Sequence, residues 1–209
     1  MDSPRFRYVV VVPVKPPALG KSRLSGLPDG QRIRLASAFA LDTVAAALAC
    51  PSVAGVLAVT DDFRFASDLS HAGCVVVPDG VSGDLNGTLV QAGLEAARRW
   101  PSAGVAALCA DLPALRSDDL EAALGNVPQM GAAFVADVAG TGTTMYAARS
   151  VTDFAPSFGS GSAGAHRAAG AVALEGDWPS LRQDVDEVGD LGRALVLGVG
   201  EHTRSASGR

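Results

Sequence analysis

Residues 8–14 read YVVVVPV, a run dominated by β-branched residues with no polar position. A strand with one wet face alternates apolar and polar side chains, so an unbroken run calls for a strand covered on both faces. That requirement points to a layered α/β domain, because helices are what cover a parallel sheet on two sides. The following residues supply them. Residues 29–50 carry helix-spaced Ile33, Ala36, Phe39, Ala40, Val44 and Leu48, and Pro51 stops the helix. Strands are expected over 53–60, 74–77 and 105–110, with helices over 61–72 and 84–100 between them and Ser117 capping a further helix over 118–124. Residues 132–137 and 143–148 read as two strands joined by a turn at Gly140 and Gly142. A Gly/Ser-rich loop, a short helix over 163–169 and a helix over 186–196 follow.

The expected fold is α/β: a single doubly wound, mostly parallel sheet with helices on both faces, formed by one domain over residues 1–200. Ligands would sit at the carboxyl ends of the strands near a switch point. The polar tail, residues 201–209, is expected to be disordered. Apolar runs are all shorter than the roughly 20 residues of a membrane span, and the expected location is cytoplasmic.

Charge narrows the partners. A net charge of -5 argues against a general nucleic-acid binder. Residues 1–34 hold seven basic and two acidic side chains, a local balance of +5, whereas the remainder balances at -10. The N-terminal segment is therefore suited to a small anion. Only two of the 17 basic residues are lysines, Lys15 and Lys21, both in this segment. A lysine is a compact point charge suited to phosphate. The three cysteines, Cys50, Cys74 and Cys109, form no CxxC pair and read as buried structural thiols. The three histidines show no metal spacing.

Gly20-Lys21-Ser22 looks like the second half of a P-loop, but Lys15 stands where the first glycine belongs. Pro13, Pro16 and Pro17 also lack the N–H groups such a loop aims at phosphate. The stretch is not a P-loop. Pro13-Val14-Lys15 followed by Lys21-Ser22-Arg23-Leu24 resembles instead the signature loop P-x-K-x-x-x-x-x-K-[ST]-R-L of nucleotidyltransferases that activate small substrates with an NTP.

Further segments narrow the resemblance: GVSGDLNGTLVQA at 80–92, CADLPAL at 109–115, TGTTMY at 141–146, FGSGSAGAH at 158–166 and RQDVDEVGDL at 182–191. In this order they are similar to the phosphoenolpyruvate and 2-phospho-L-lactate guanylyltransferases of deazaflavin coenzyme F-420 biosynthesis, within the nucleotide-diphospho-sugar-transferase-like, Rossmann-related superfamily. Two departures stand out: Asp84 where that family often has Gly, and Thr144 where relatives often have Asn.

The resemblance implies a role for each residue. Lys15, Lys21 and Arg23 would carry catalysis by sharing the charge that builds on an α-phosphorus. Pro13, Lys15, Asp84, Asn86 and Gly87 would bind the nucleotide. Thr144, Gly159 and Ser162 would hold the acceptor, with His166 supporting the loop, adding a donor or serving as a core residue. Mg2+ would be the cofactor, with Asp111 as one ligand and a second from Asp184 or Asp186. Spacing does not separate those two. Asp186 also suits the N-cap of the last helix, which leaves Asp184 preferred.

The implied reaction joins phosphoenolpyruvate or 2-phospho-L-lactate to GTP with loss of pyrophosphate, in a monomer or small homo-oligomer, and the next enzyme of the pathway is a candidate transient partner. The alternatives are a molybdopterin or sugar nucleotidyltransferase, which opens with a Gly-rich loop absent here, and a non-catalytic GTP-binding protein on the same fold.

Overall fold

The computed structural model describes residues 6–18, 24, 26–81 and 83–208. The all-apolar run becomes strand β1, Tyr8–Pro13, and lies inside a seven-stranded sheet. After it come helix α1 (Asp29–Ala49), β2 (Val53–Val59), α2 (Phe63–His71), β3 (Val75–Val77), α3 (Leu85–Arg99), β4 (Gly104–Leu108) and α4 (Ser117–Gly125). Strands β5 (Ala132–Ala136) and β6 (Thr143–Ala148) form the expected hairpin. Then follow α5 (Ser162–Ala168), β7 (Val172–Ala173), α6 (Pro179–Arg182), α7 (Val188–Leu197) and α8 (Glu201–Ala206).

The strand order is β3-β2-β1-β4-β6-β5-β7, parallel except where β6 runs antiparallel to β4 and β5. Val10 and Val12 point into one core with Val44 of α1, Leu69 of α2 and Leu120 of α4. Val9 and Val11 point into the other with Leu89 and Ala92 of α3 and Ala163 of α5. The doubly wound reading of the sequence holds. After β1 the chain winds outward through β2 and β3, then returns to β4 on the other side of β1. That reversal leaves a crevice at the carboxyl ends of β1 and β4. No helix among the described residues is long and apolar enough to cross a membrane.

Two local expectations change. Ser117 is the first residue of α4 and not its cap, which falls on Arg116 without a side-chain bond. The tail read as disordered is ordered through residue 208, with α8 seated on α1. Asp42 of α1, only 6% exposed, accepts hydrogen bonds from His202 N (3.1 Å) and Thr203 N (2.8 Å), satisfying the orphan donors at the start of α8. Gly200 makes this approach feasible, since a Cβ there would lie 2.3 Å from the Asp42 carboxylate carbon. Asp42→Ala should cost about 1–3 kcal/mol by stranding those buried donors. Urea denaturation would measure the loss, with faster proteolysis after residue 199; an unchanged midpoint would show that α8 does not depend on Asp42.

Candidate active site

A cavity of about 770 Å3 opens over the ends of β1, β2 and β4. Val14 continues the sheet register by donating to Val59 O at 2.8 Å and is buried. Lys15 then leaves the sheet, exposed, with its side chain among those lining the cavity beside Pro13. Ala36 and Ala40 of α1 and Ala107 of β4 keep the floor shallow in side-chain volume. Lys21 and Arg23 lie outside the described residues.

Asp111 lines the same cavity, three residues past the end of β4. Its backbone is held on every side. Thr43 Oγ1, fully buried on α1, accepts from Leu112 N at 3.1 Å and lies 3.3 Å from Ala110 O and 2.8 Å from Phe39 O. Val185 N donates to Asp111 O at 3.0 Å, which draws the C-terminal acidic segment against this turn. Asp186 then joins Asp111 in the cavity lining, whereas Asp184 is not among the lining residues.

The reason for preferring Asp184 therefore fails. The N-cap of α7 is Glu187, in a reciprocal capping box with Asp190, whose Oδ2 also accepts from Asp186 N at 3.0 Å. Asp186 is spared capping duty. Two hard carboxylates on one cavity fit an ion that takes oxygen ligands and completes its shell with phosphates and water.

Asp84 lines the cavity and also caps α3, its Oδ1 accepting from Asn86 N (3.1 Å) and Gly87 N (3.0 Å). Gly87 lets that carboxylate fold over the helix start, as an added Cβ would lie 2.6 Å from Asp84 Oδ2. The side chain of Asn86 turns away to Phe158, accepting from its N at 2.7 Å and donating to its O at 3.0 Å. Asp61 and Asp79 also line this end, linked by Asp79 N donating to Asp61 Oδ1 at 2.9 Å. Sequence reasoning passed over both, although they follow the ends of β2 and β3 as Asp111 follows β4.

Of the acceptor residues, Thr144 is fully buried within β6, its hydroxyl 3.4 Å from Val135 O and its carbonyl accepting from Cys109 N at 2.9 Å. Gly159 is exposed at φ +137°, a left-handed turn suited to glycine, and Ser162 is buried at the start of α5. Phe158, between them and Asn86, lines the cavity. Cys109, read as a buried thiol, is half-buried and lines the cavity too. Burial raises the Cys50 and Cys74 thiols to about 12 and about 11, which keeps them protonated and inert.

A family model described as "Guanylyl transferase CofC like" matches residues 8–206. The phosphoenolpyruvate guanylyltransferase of Geodermatophilus obscurus is 48% identical over 207 residues, covering 96% of this chain and 94% of its own. That of Streptomyces coelicolor is 48% identical over 206 residues, covering 98% and 97%. Among solved structures, a protein described as a candidate nucleotide-diphospho-sugar transferase from Desulfovibrio desulfuricans G20 superposes with a TM-score of 0.70 at 18% identity. It covers 95% of this chain and 90% of its own, and at that identity the likeness is one of fold.

His166 fixes the loop from the core side. Its ring is fully buried against Tyr146, 4.5 Å away between centroids, with Phe134 and Phe158 nearby. Nε2 accepts from Ser157 N at 2.8 Å, so the proton sits on Nδ1 and points at Thr143 Oγ1, 3.0 Å away. Burial lowers its pKa from 6.5 to about 4. The unfolded chain therefore takes up this proton first as pH falls, and stability drops between pH 6.5 and about 4. Urea midpoints of the wild type between pH 6.5 and 5 should fall more steeply than those of His166→Gln; equal slopes would contradict this account.

Proposed function

The chain belongs to the CofC-like guanylyl transferase family, and from that membership we propose that it transfers the guanylyl group of GTP to phosphoenolpyruvate, in the biosynthesis of deazaflavin coenzyme F-420. The carrying observation is that Lys15, Asp111 and Asp186 all line one cavity at the carboxyl end of the sheet. A phosphate oxygen of phosphoenolpyruvate attacks the α-phosphorus, a new P–O bond forms, the bond to the β-phosphate breaks, and pyrophosphate leaves.

No proton need be removed from this nucleophile. A phosphate monoester has its second pKa near 6 and is mostly dianionic at neutral pH. Among the described residues, the cavity lining contains neither His nor Glu, in keeping with a reaction that needs no general base. The chain's task is to hold two anions in line and offset their repulsion. Lys15 lines the cavity and would meet the phosphates; Lys21 and Arg23, which lie outside the described residues, would supply further cations. Asp111 and Asp186 would hold magnesium, which supplies neutralisation of the charge developing on the phosphoryl oxygens.

The opposite wall, with Asp61 and Asp79, suits the base. Guanine presents N1–H and an exocyclic amine as donors toward carboxylates, whereas adenine presents an acceptor at N1. Gly159 and Ser162, which follow the cavity-lining Phe158, would hold the acceptor's anionic groups, although Ser162 N already donates to Gly159 O at 3.2 Å. Thr144, expected to face the acceptor, is instead fully buried with its hydroxyl toward Val135 O and is not among the cavity's lining residues, so it would act only by supporting the sheet.

Pyrophosphate release should be measured with GTP and Mg2+ against phosphoenolpyruvate, 2-phospho-L-lactate and 3-phosphoglycerate. Phosphoenolpyruvate is the expected preference, given the names of the relatives at 48% identity. GTP binding without release from any acceptor would favour the non-catalytic alternative. Asp111→Asn and Asp186→Asn should each lower kcat by about 100-fold or more, because several kcal/mol of charge stabilisation depends on them. Asp184→Asn should cost less than Asp186→Asn, and the reverse order would return the metal to Asp184.

A further inference from the structure

We infer that Asn86 is a positioning residue that registers the acceptor loop against the nucleotide side of the cavity, and not a contact to the base. Its side-chain amide has one strong acceptor and one donor group, and both are directed at a single residue. Oδ1 accepts from Phe158 N at 2.7 Å and Nδ2 donates to Phe158 O at 3.0 Å. This two-way exchange is the pairing a neighbouring strand would make, supplied across 72 residues by one side chain.

The exchange fixes a chain of positions. Asp84, in the cavity wall, accepts from Asn86 N and sets the start of α3. Asn86 then sets Phe158, which lines the cavity as well. On the far side, Ser157 N donates to His166 Nε2 at 2.8 Å, and the Phe158 ring stands at 78° to the imidazole with centroids 5.5 Å apart. Two consecutive peptide units are thus held from opposite sides, one by α3 and one by α5. Immediately afterwards the backbone turns at Gly159 (φ +137°) and Gly161 (φ +72°) into Ser162. Lacking a Cβ, both glycines take these positive φ values without strain.

A base contact would leave at least one end of the amide toward the cavity. Asn86 is not among the lining residues, while its neighbours Leu85 and Thr88 are. Among the common side chains, only asparagine fits both bonds at this length: aspartate lacks the donor, and glutamine reaches one methylene too far.

The inference rests on the reading of residues 158–162 as the acceptor loop, so the test has two independent readouts on the full-length protein. The first is steady-state kinetics of Asn86→Ala and Asn86→Asp. The KM for phosphoenolpyruvate should rise about tenfold as the loop loses register, with the KM for GTP moving less than about twofold. A rise confined to GTP would make Asn86 a base contact and overturn the inference, as would no change in either constant. The second readout is amide hydrogen exchange over residues 155–162, which should speed up in both variants whether or not the enzyme turns over. Unchanged exchange in two folded variants would overturn the clamp. If the wild type releases no pyrophosphate, the proposed reaction fails and the exchange experiment alone decides the clamp.

Discussion

Because β1 is covered on both faces, no polar group that handles a ligand can sit along it, and the chemistry is displaced to its carboxyl end. Everything at that end takes its position from the sheet. Pro13 is in register with Val59 and Val14 N donates to Val59 O, so Lys15 departs at a fixed height. Strand β4 pairs in parallel with β1, from Tyr8 against Gly104 to Val11 against Ala107, and carries Asp111 up to the same rim. The packing of four valines between helix layers sets where a cation and a carboxylate stand relative to one another.

The loops above the rim are not held by the sheet, and a second class of interaction fixes them. Thr43, Asp42 and His166 are buried polar residues whose side chains are directed at the backbone of distant loops, and half-buried Asn86 acts in the same way. A hydrogen bond to a backbone group in a dry interior is costly to break, because the stranded partner keeps its full desolvation penalty. Such bonds confine a loop more tightly than its own sequence does. Their placement around Asp111 and Phe158 makes the site preorganised, which is the condition under which fixed dipoles and charges act on a transition state without first having to reorient.

This division also explains which parts were legible in the sequence. Strands and helices follow from period and from local breakers, so the sheet, its mostly parallel character and the long helices could be read directly. The place of Asp111 in the cavity lining was legible because a carboxylate just past a buried strand has few places to go. Asp61 and Asp79 obey the same rule, but Asp79 follows only the three-residue β3 and Asp61 reads in the sequence as the start of the helix over 61–72. The capping argument that set Asp186 aside rested on a local rule, and the cap fell one residue later, on Glu187, paired with Asp190. Asn86, Thr43 and Asp42 act through partners 72, 69 and 161 residues away, and no local pattern encodes such a partner. The order in the tail was hidden for that reason, since a six-residue helix has no stability of its own without Asp42 and α1.

The electrostatics of the cavity bind the remaining readings together. Its described lining contains five aspartates, at 61, 79, 84, 111 and 186, against the single lysine at 15. A polyphosphate facing that wall alone would be repelled. Asp84 is partly neutralised by the helix start it caps, and Asp61 and Asp79 accept N–H groups from the segment after β3. Asp111 and Asp186 line the same cavity as Lys15, where a triphosphate would have to lie. Carboxylates in that place are compatible with phosphate only when cations stand between them. An anionic rim that receives two anionic substrates is thus consistent as a nucleotide site if the aspartates are cation ligands. The metal reading and the nucleotide reading support each other on that physical ground.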